Sequence, residues 1–236
     1  MKLLALDSSS VTASVSIIED ETIISEFFIN SGLTHSQTLA PMIQASLDTL
    51  NIKVSDIDLF AITNGPGSFT GLRIGLATIK GMATVFNKPC IGVSSLLAAA
   101  YNCINFNGII CVVMDARRNQ FYNAIFKCEN KNLERLTEDR VISIEELEKD
   151  LKNFSECVEL IGDGAVICYN NINMYGDQNN IKLSFKGNHY VYASNVGILG
   201  MKLYKKGAFS DASNINPKYL RLSQAERLLL ENKLKT

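Results

Sequence analysis

Two kinds of residue in this chain could do chemistry: carboxylates that close apolar runs, and a glycine-rich loop that opens a helical pattern. Asp7 ends the apolar run 3–6 and is followed by Ser8, Ser9 and Ser10. A carboxylate at the carboxyl end of a central strand stands where open α/β sheets gather ligands, and it could hold a metal-bound phosphate. It could equally cap its own turn through Ser9 and Ser10. The glycine loop reads Asn64-Gly65-Pro66-Gly67-Ser68-Phe69-Thr70-Gly71-Leu72-Arg73. It lies between a short apolar run (59–62) and a pattern with Leu72, Ile74, Leu76, Ile79, Ala83 and Phe86 apolar. Strand, glycine turn and helix in that order can aim backbone N–H groups at a ligand oxyanion. Gly65, Gly67 and Gly71 admit backbone angles and approaches that a Cβ forbids, and Ser68 and Thr70 could cap the helix or touch a ligand. The plainer reading of the same loop is a strand–helix connection tightened for packing.

Other residues bear on the choice. Asp115 has Arg117 and Arg118 beside it, either an anion site or a turn ordered by its own ion pair. Gly162-Asp163-Gly164-Ala165 could pass near a nucleotide base, though alone it reads as a tight turn. No glycine lies between positions 7 and 15, where a loop that admits a triphosphate usually has one, and this weakens phosphate transfer. The two histidines, His35 and His189, share no motif. Zinc sites gather three or four ligands, so metal catalysis is not expected. There is no G-x-S-x-G and no P-loop. The candidate cofactor-binding set is therefore Asp7, Gly65, Gly67, Ser68, Thr70, Gly71, Gly162 and Gly164, with no catalytic or metal-binding residue proposed.

The elements that must position these residues follow from hydrophobic period. The first strand ends at Asp7, residues 13–18 form a second, and a turn at 19–22 leads to a third over 23–29. A helix is expected over about 36–50, with Leu39, Met42, Ile43, Leu47 and Leu50 at helical spacing; Pro41 predicts a kink or a late start. The central strand, glycine turn and helix (71–86) come next, then a strand at 90–93 and a helix capped by Ser94-Ser95. The opening then repeats in outline: a strand ending at Asp115, a second over 120–128, and a third over 133–142. Two halves that each begin strand, aspartate turn, hairpin suggest an internal duplication. Ser143 and Glu146 form a capping box for a helix to about 152. A strand at 158–161, a short helix, a polar loop-rich stretch (173–190), a helix from about 191 to Gly207 and a terminal helix boxed by Ser223 and Glu226 complete the chain.

Composition excludes several classes. The chain has 236 residues, is 47% hydrophobic and balances 23 Lys+Arg against 24 Asp+Glu. That supports a real core and gives no bulk charge for a nucleic-acid or membrane surface. No apolar stretch reaches membrane-span length, and Lys80 interrupts the best one. The six cysteines form no C-x-x-C pair and several sit in strand-like runs, so buried reduced thiols and a cytoplasmic setting are expected.

The glycine run, extended through Ile74-Gly75 and with Lys80-Gly81, closely resembles the TsaB (YeaZ) family. So do Leu4-Ala5-Leu6-Asp7-Ser8-Ser9, Gly92-Val93-Ser94-Ser95-Leu96, Met114-Asp115-Ala116-Arg117-Arg118 and Tyr219-Leu220-Arg221. The resemblance implies an α/β actin/Hsp70/sugar-kinase-like (ASKHA) fold of two related lobes with mixed, ribonuclease H-like sheets. Residues 1–104 would form the first lobe, 105–206 a divergent second lobe, and 207–236 a C-terminal segment. It further implies a non-catalytic subunit that binds and activates a TsaD-like paralogue in forming N6-threonylcarbamoyladenosine beside the tRNA anticodon. A TsaE-like ATPase would join the complex, and tRNA would be met only through it. The isolated chain would pair with itself as a homodimer and hold no cofactor tightly, with ATP or ADP possible at the partner interface. The pairing surface would come from about 36–50 and 71–86, with Met42, Ile43, Leu47, Leu76, Ile79 and Ala83 as candidates, although the same stripes could instead face the protein's own sheet. Gly75, Ala77, Gly81 and Ala83 would let another helix approach. Two other functions stay open on the residues alone: an ATP-dependent phosphotransferase, motivated by Asp7 and the glycine loop, and a metallopeptidase.

Overall fold

The computed structural model describes residues 1–172 and 180–221. The first half runs β1 (Lys2–Asp7), β2 (Ala13–Glu19), β3 (Thr22–Ile29), α1 (His35–Leu50), β4 (Leu59–Gly65), α2 (Phe69–Val85), β5 (Cys90–Ser94) and α3 (Ser95–Ala100). The second runs β6 (Gly108–Asp115), β7 (Gln120–Glu129), β8 (Asn132–Arg135), β9 (Arg140–Ser143), α4 (Ile144–Leu151), β10 (Val158–Ile161), α5 (Ala165–Ile172), β11 (Ile181–Leu183) and α6 (Ala193–Lys205).

Each half builds one mixed sheet on the same plan. The first has the order β3-β2-β1-β4-β5, with β1, β2 and β3 antiparallel and β1, β4 and β5 parallel. The second has β11-β10-β6-β7-β8, with β9 also paired to β7. There β6 and β7 are antiparallel, and β6, β10 and β11 parallel. Read from its first strand, each sheet puts the hairpin on one side and the parallel crossover strands on the other. This is the duplicated ribonuclease H-like plan of an ASKHA protein.

Both faces of the central strands are buried, which is why their sequences are continuous apolar runs. Leu3 and Ala5 of β1 face one layer and Leu4 and Leu6 the other. In β6, Ile110, Val112 and Met114 face the layer shared between the sheets, and Ile109, Cys111 and Val113 face outward. The stack is therefore α1 and α2, first sheet, α3 with α6, second sheet, α4 and α5. The midlayer core is continuous from Leu59 and Val93 on the first sheet, through Leu96 and Val196, to Val112 and Phe126 on the second.

Several expectations change. Helix α1 starts at His35, capped by Thr34, so Pro41 does not delay it; Pro41 sits exposed within the helix. The expected strand over 133–142 is two strands, β8 and β9. Between them the chain loops out, the Leu136 and Thr137 amides both donating to Ile125 O, while Thr137 Oγ1 accepts from Ile125 N. The loop-rich stretch contains β11. Helix α6, placed by the 105–206 boundary in the second lobe, packs on β1, β2 and β4 of the first sheet. Gly197 and Gly200 make that fit possible: a Cβ at either would meet Ile18 or Ala61 at 2.5 and 2.8 Å. The Ser223/Glu226 box and the terminal helix lie outside the described residues.

The six candidate pairing residues need the clearest correction. Met42, Ile43, Leu47, Leu76, Ile79 and Ala83 are all buried in the core that α1 and α2 make with their own sheet. Their apolar stripe is the one the sheet requires. The outward face of α2 carries Arg73, Ala77, Gly81 and Thr84, and that of α1 carries Ala40, Gln44 and Asp48. Among the described residues no helix is long and apolar enough to cross a membrane.

Candidate functional site

The carboxyl ends of β1, β4, β6 and β10 converge on one interlobe cleft of about 880 Å3. The first lobe contributes Ser9, Ser10, His35, Gly67, Ser68, Thr70 and Gly71 to its walls; the second contributes Asp115, Arg117, Gly162 and Asp163. Gly65, Gly164 and Asp7 do not line the cleft.

Asp7 is wholly buried and does not reach the cleft. Its Oδ1 accepts from Thr63 Oγ1 at 2.6 Å, from Ser9 Oγ at 2.7 Å and from Ser9 N at 3.2 Å. Its Oδ2 has no partner. Burial pushes the Asp7 carboxyl above its usual range, against the opposing hydrogen bonds from Thr63 and Ser9. Its role is the turn-capping one. It fixes the 8–10 turn and ties β1 to β4.

That turn fills the place where a ligand oxyanion would meet α2. Ser68 N donates to Ser9 O at 2.7 Å, and Ser8 Oγ donates to Gly71 O at 2.9 Å. A Cβ at Gly67 would lie 2.2 Å from Ser9 O, one at Gly71 2.1 Å from Ser8 O, and one at Gly75 2.3 Å from Ser8 Oγ. Spacing of four residues puts Gly71 and Gly75 on one ridge of α2, and Gly67 lies just before its cap, Ser68. The ridge is bare of side chains so that the protein's own backbone can sit on it. Ser68 caps the helix, accepting from Gly71 N at 3.2 Å, while Thr70 stands exposed at the cleft rim. The first-lobe residues thus do not fit a phosphate cradle.

In the second lobe Asp163 Oδ1 accepts from Asp115 N at 2.9 Å, and Asp115 holds Arg117 through its amide (2.6 Å) and guanidinium (3.2 Å). Burial, with the nearby Asp115 charge adding, pushes Asp163 up to about 6. Gly162 has φ +107° and its Cβ would collide with Val113 O, so this turn too is glycine for close backbone approach.

The cleft also gathers residues that no motif joined. His35 and His189 both line it, although they stand 154 positions apart in sequence. His35 Nε2 pairs with Ser10 O at 2.9 Å. His189 is buried with both ring nitrogens unpartnered, and burial lowers its pKa. No local signal could have placed it there, because the loop before α6 brings it in. Among the described residues no three His, Cys, Asp or Glu side chains are grouped as metal ligands.

The family model described as "tRNA N6-adenosine threonylcarbamoyltransferase" (TsaD) matches residues 23–234. A Bacillus subtilis protein named tRNA threonylcarbamoyladenosine biosynthesis protein TsaB is 28% identical over 98% of this chain and 99% of its own length. An Escherichia coli protein of the same name is 33% identical over 56% of this chain and 58% of its own. Among solved structures, YeaZ from Pseudomonas aeruginosa superposes with a TM-score of 0.80 at 22% identity. The superposition covers 93% of this chain and 99% of that one, and it establishes a shared fold.

Proposed function

The chain belongs to the TsaD family, in its TsaB (YeaZ) branch, and on that premise we propose that it is the non-catalytic subunit of a tRNA threonylcarbamoyltransferase assembly. It docks on a TsaD-like paralogue and activates it, and the paralogue forms N6-threonylcarbamoyladenosine at the adenosine beside the anticodon. The observation that carries this reading is the state of α2. Its ligand end is plugged by Ser8 and Ser9, while its outer face, with Ala77 exposed and nothing within 4 Å of a Cβ at Gly81, is open. A helix with that face admits another helix at short distance.

The partner surface is then the outward side of α1 and α2, not the buried stripe. A homodimer of the isolated chain would use the same side. A TsaE-like ATPase completes the assembly in the cytoplasm, any ATP or ADP lies at subunit interfaces, and tRNA is met through the complex. The phosphotransferase alternative is disfavoured, because Asp7 is walled off from the cleft and the glycine loop is filled. Mixing the purified chain with its cognate TsaD-like protein should give one co-eluting complex on size exclusion. Depleting it in cells should remove the modified adenosine from tRNA. Separate elution together with unchanged modification would defeat the proposal.

A further inference from the structure

The segment after α6 is not a loose tail. It runs along the first lobe as a strap and then crosses to the second. Ser210 pairs with Cys90 through two backbone hydrogen bonds of 2.8 and 3.0 Å. Ala212 and Ile215 are buried in the α1–α2 core, and Lys80 Nζ reaches Ser213 O at 3.2 Å. Lys218 N then donates to Asn64 O at 2.7 Å, and Lys218 O lies where a Cβ of Gly65 would be, 2.5 Å from it. Gly65 is therefore glycine to let the strap pass.

At this point the strap meets α2. The Tyr219 ring stacks on Phe69 with centroids 4.6 Å apart, and Arg73 Nε donates to Tyr219 Oη at 2.9 Å. The Arg73 guanidinium lies 3.9 Å from the Phe69 centroid. Two residues later Arg221 Nη1 donates to Ala116 O and Arg117 O, carbonyls of the second-lobe turn at the cleft. That turn holds Arg117, Arg118 and Asn119 all at positive φ (65°, 59° and 57°), a conformation that needs support from outside. Arg73 also heads the exposed Arg73–Ala77–Gly81 line on the outer face of α2.

We propose that residues 216–221 are an interlobe latch, through which docking on the outer face of α2 is felt at the second-lobe wall of the cleft. The inference rests on the docking face proposed above. A partner laid on Ala77 and Gly81 covers Arg73 and excludes the water that competes for its bond to Tyr219, which strengthens the cation–π stack and the hydrogen bond. Docking therefore tightens the latch, and by reciprocity an intact latch favours docking by the same factor.

Hydrogen exchange on the full chain tests this in two arms, with wild type, Tyr219→Ala and Arg221→Gln. Arg221→Gln loses the crossing contact while leaving the core untouched, and unchanged protection of β4 amides certifies the fold of each variant. In the isolated chain, the Ala116 and Gln120 amides should exchange about tenfold faster in both variants. Equal rates would overturn the latch whether or not a partner binds. With the cognate TsaD-like protein added, wild type should gain protection at 116–120. The variants should gain none and should bind about tenfold more weakly. Equal affinity and equal protection in wild type and variants would overturn the coupling, whereas no binding by wild type would defeat the docking proposal and with it the coupling, leaving the first arm to judge the latch.

Discussion

Two glycines on one helix should respond to the same substitution with opposite sign. Gly71→Ala puts a methyl group 2.1 Å from Ser8 O and 3.0 Å from the His35 ring. An ordinary contact is near 3.5 Å, so the 8–10 turn and α2 must part by more than an ångström. Overpacking of this kind costs about 1–3 kcal/mol. The displacement also weakens Ser8 Oγ to Gly71 O and Ser68 N to Ser9 O, each worth about 1 kcal/mol. The helix propensity gained by alanine returns about 1 kcal/mol. The net loss is about 2–4 kcal/mol, and Gly71→Val exceeds it. Gly81→Ala, ten residues along, meets nothing within 4 Å. It keeps the propensity gain and stabilises by up to about 1 kcal/mol. Urea unfolding of the two variants reads both values. A Gly71→Ala variant within 0.5 kcal/mol of wild type (roughly the noise of surface substitutions) would refute the claim that the glycine ridge is there for the protein's own turn.

Asp163 gives a pH dependence. Its folded-state value of about 6 lies above the 3.8 of an ordinary aspartate, so the folded chain holds the proton more tightly than the unfolded one. That advantage is full below about pH 4 and lost as pH rises through 6, a penalty of at most about 3 kcal/mol and less with cleft water screening. Asp163→Asn keeps an acceptor for Asp115 N, so melting should show it more stable than wild type at pH 8 and level at pH 4; a pH-independent difference would contradict the assignment. The cysteines give a second readout. Five are buried and Cys157 alone is half-exposed, with burial pushing Cys103 and Cys168 up to about 12. Iodoacetamide on the native chain should therefore label Cys157 first, and rapid modification of Cys111 or Cys168 would show the second-lobe core to be open.

Much of the architecture was legible because period and burial coincide. The two-sided burial of β1 and β6 appears as unbroken apolar runs, and the Ser143–Glu146 box marks the start of α4 where it occurs. The duplication was visible only as element order, since side chains differ between halves while backbone pairing repeats. What misled was direction. The stripe on α1 and α2 was legible as apolar, but an apolar stripe is what its own sheet demands, and the exposed small residues beside it give a weak hydrophobic signal. The glycine loop was legible as a place of close approach, without saying what approaches. The occupant is the 8–10 turn, whose serines suggested only partners for Asp7 and nothing of α2. His189 at the cleft and Tyr219 on Phe69 depend on contacts across 100 residues or more, which local pattern does not carry.

The central claim is that the outer face of α2 is the docking surface of a non-catalytic subunit. Calorimetric titration of the cognate TsaD-like protein with Ala77→Arg and Gly81→Arg variants tests it most directly. Both positions are exposed, so Ala77→Arg should melt like wild type and Gly81→Arg at or slightly above it, while both lose at least a hundredfold in affinity, about 2.7 kcal/mol. Wild-type affinity in both folded variants would place the interface elsewhere and contradict the account.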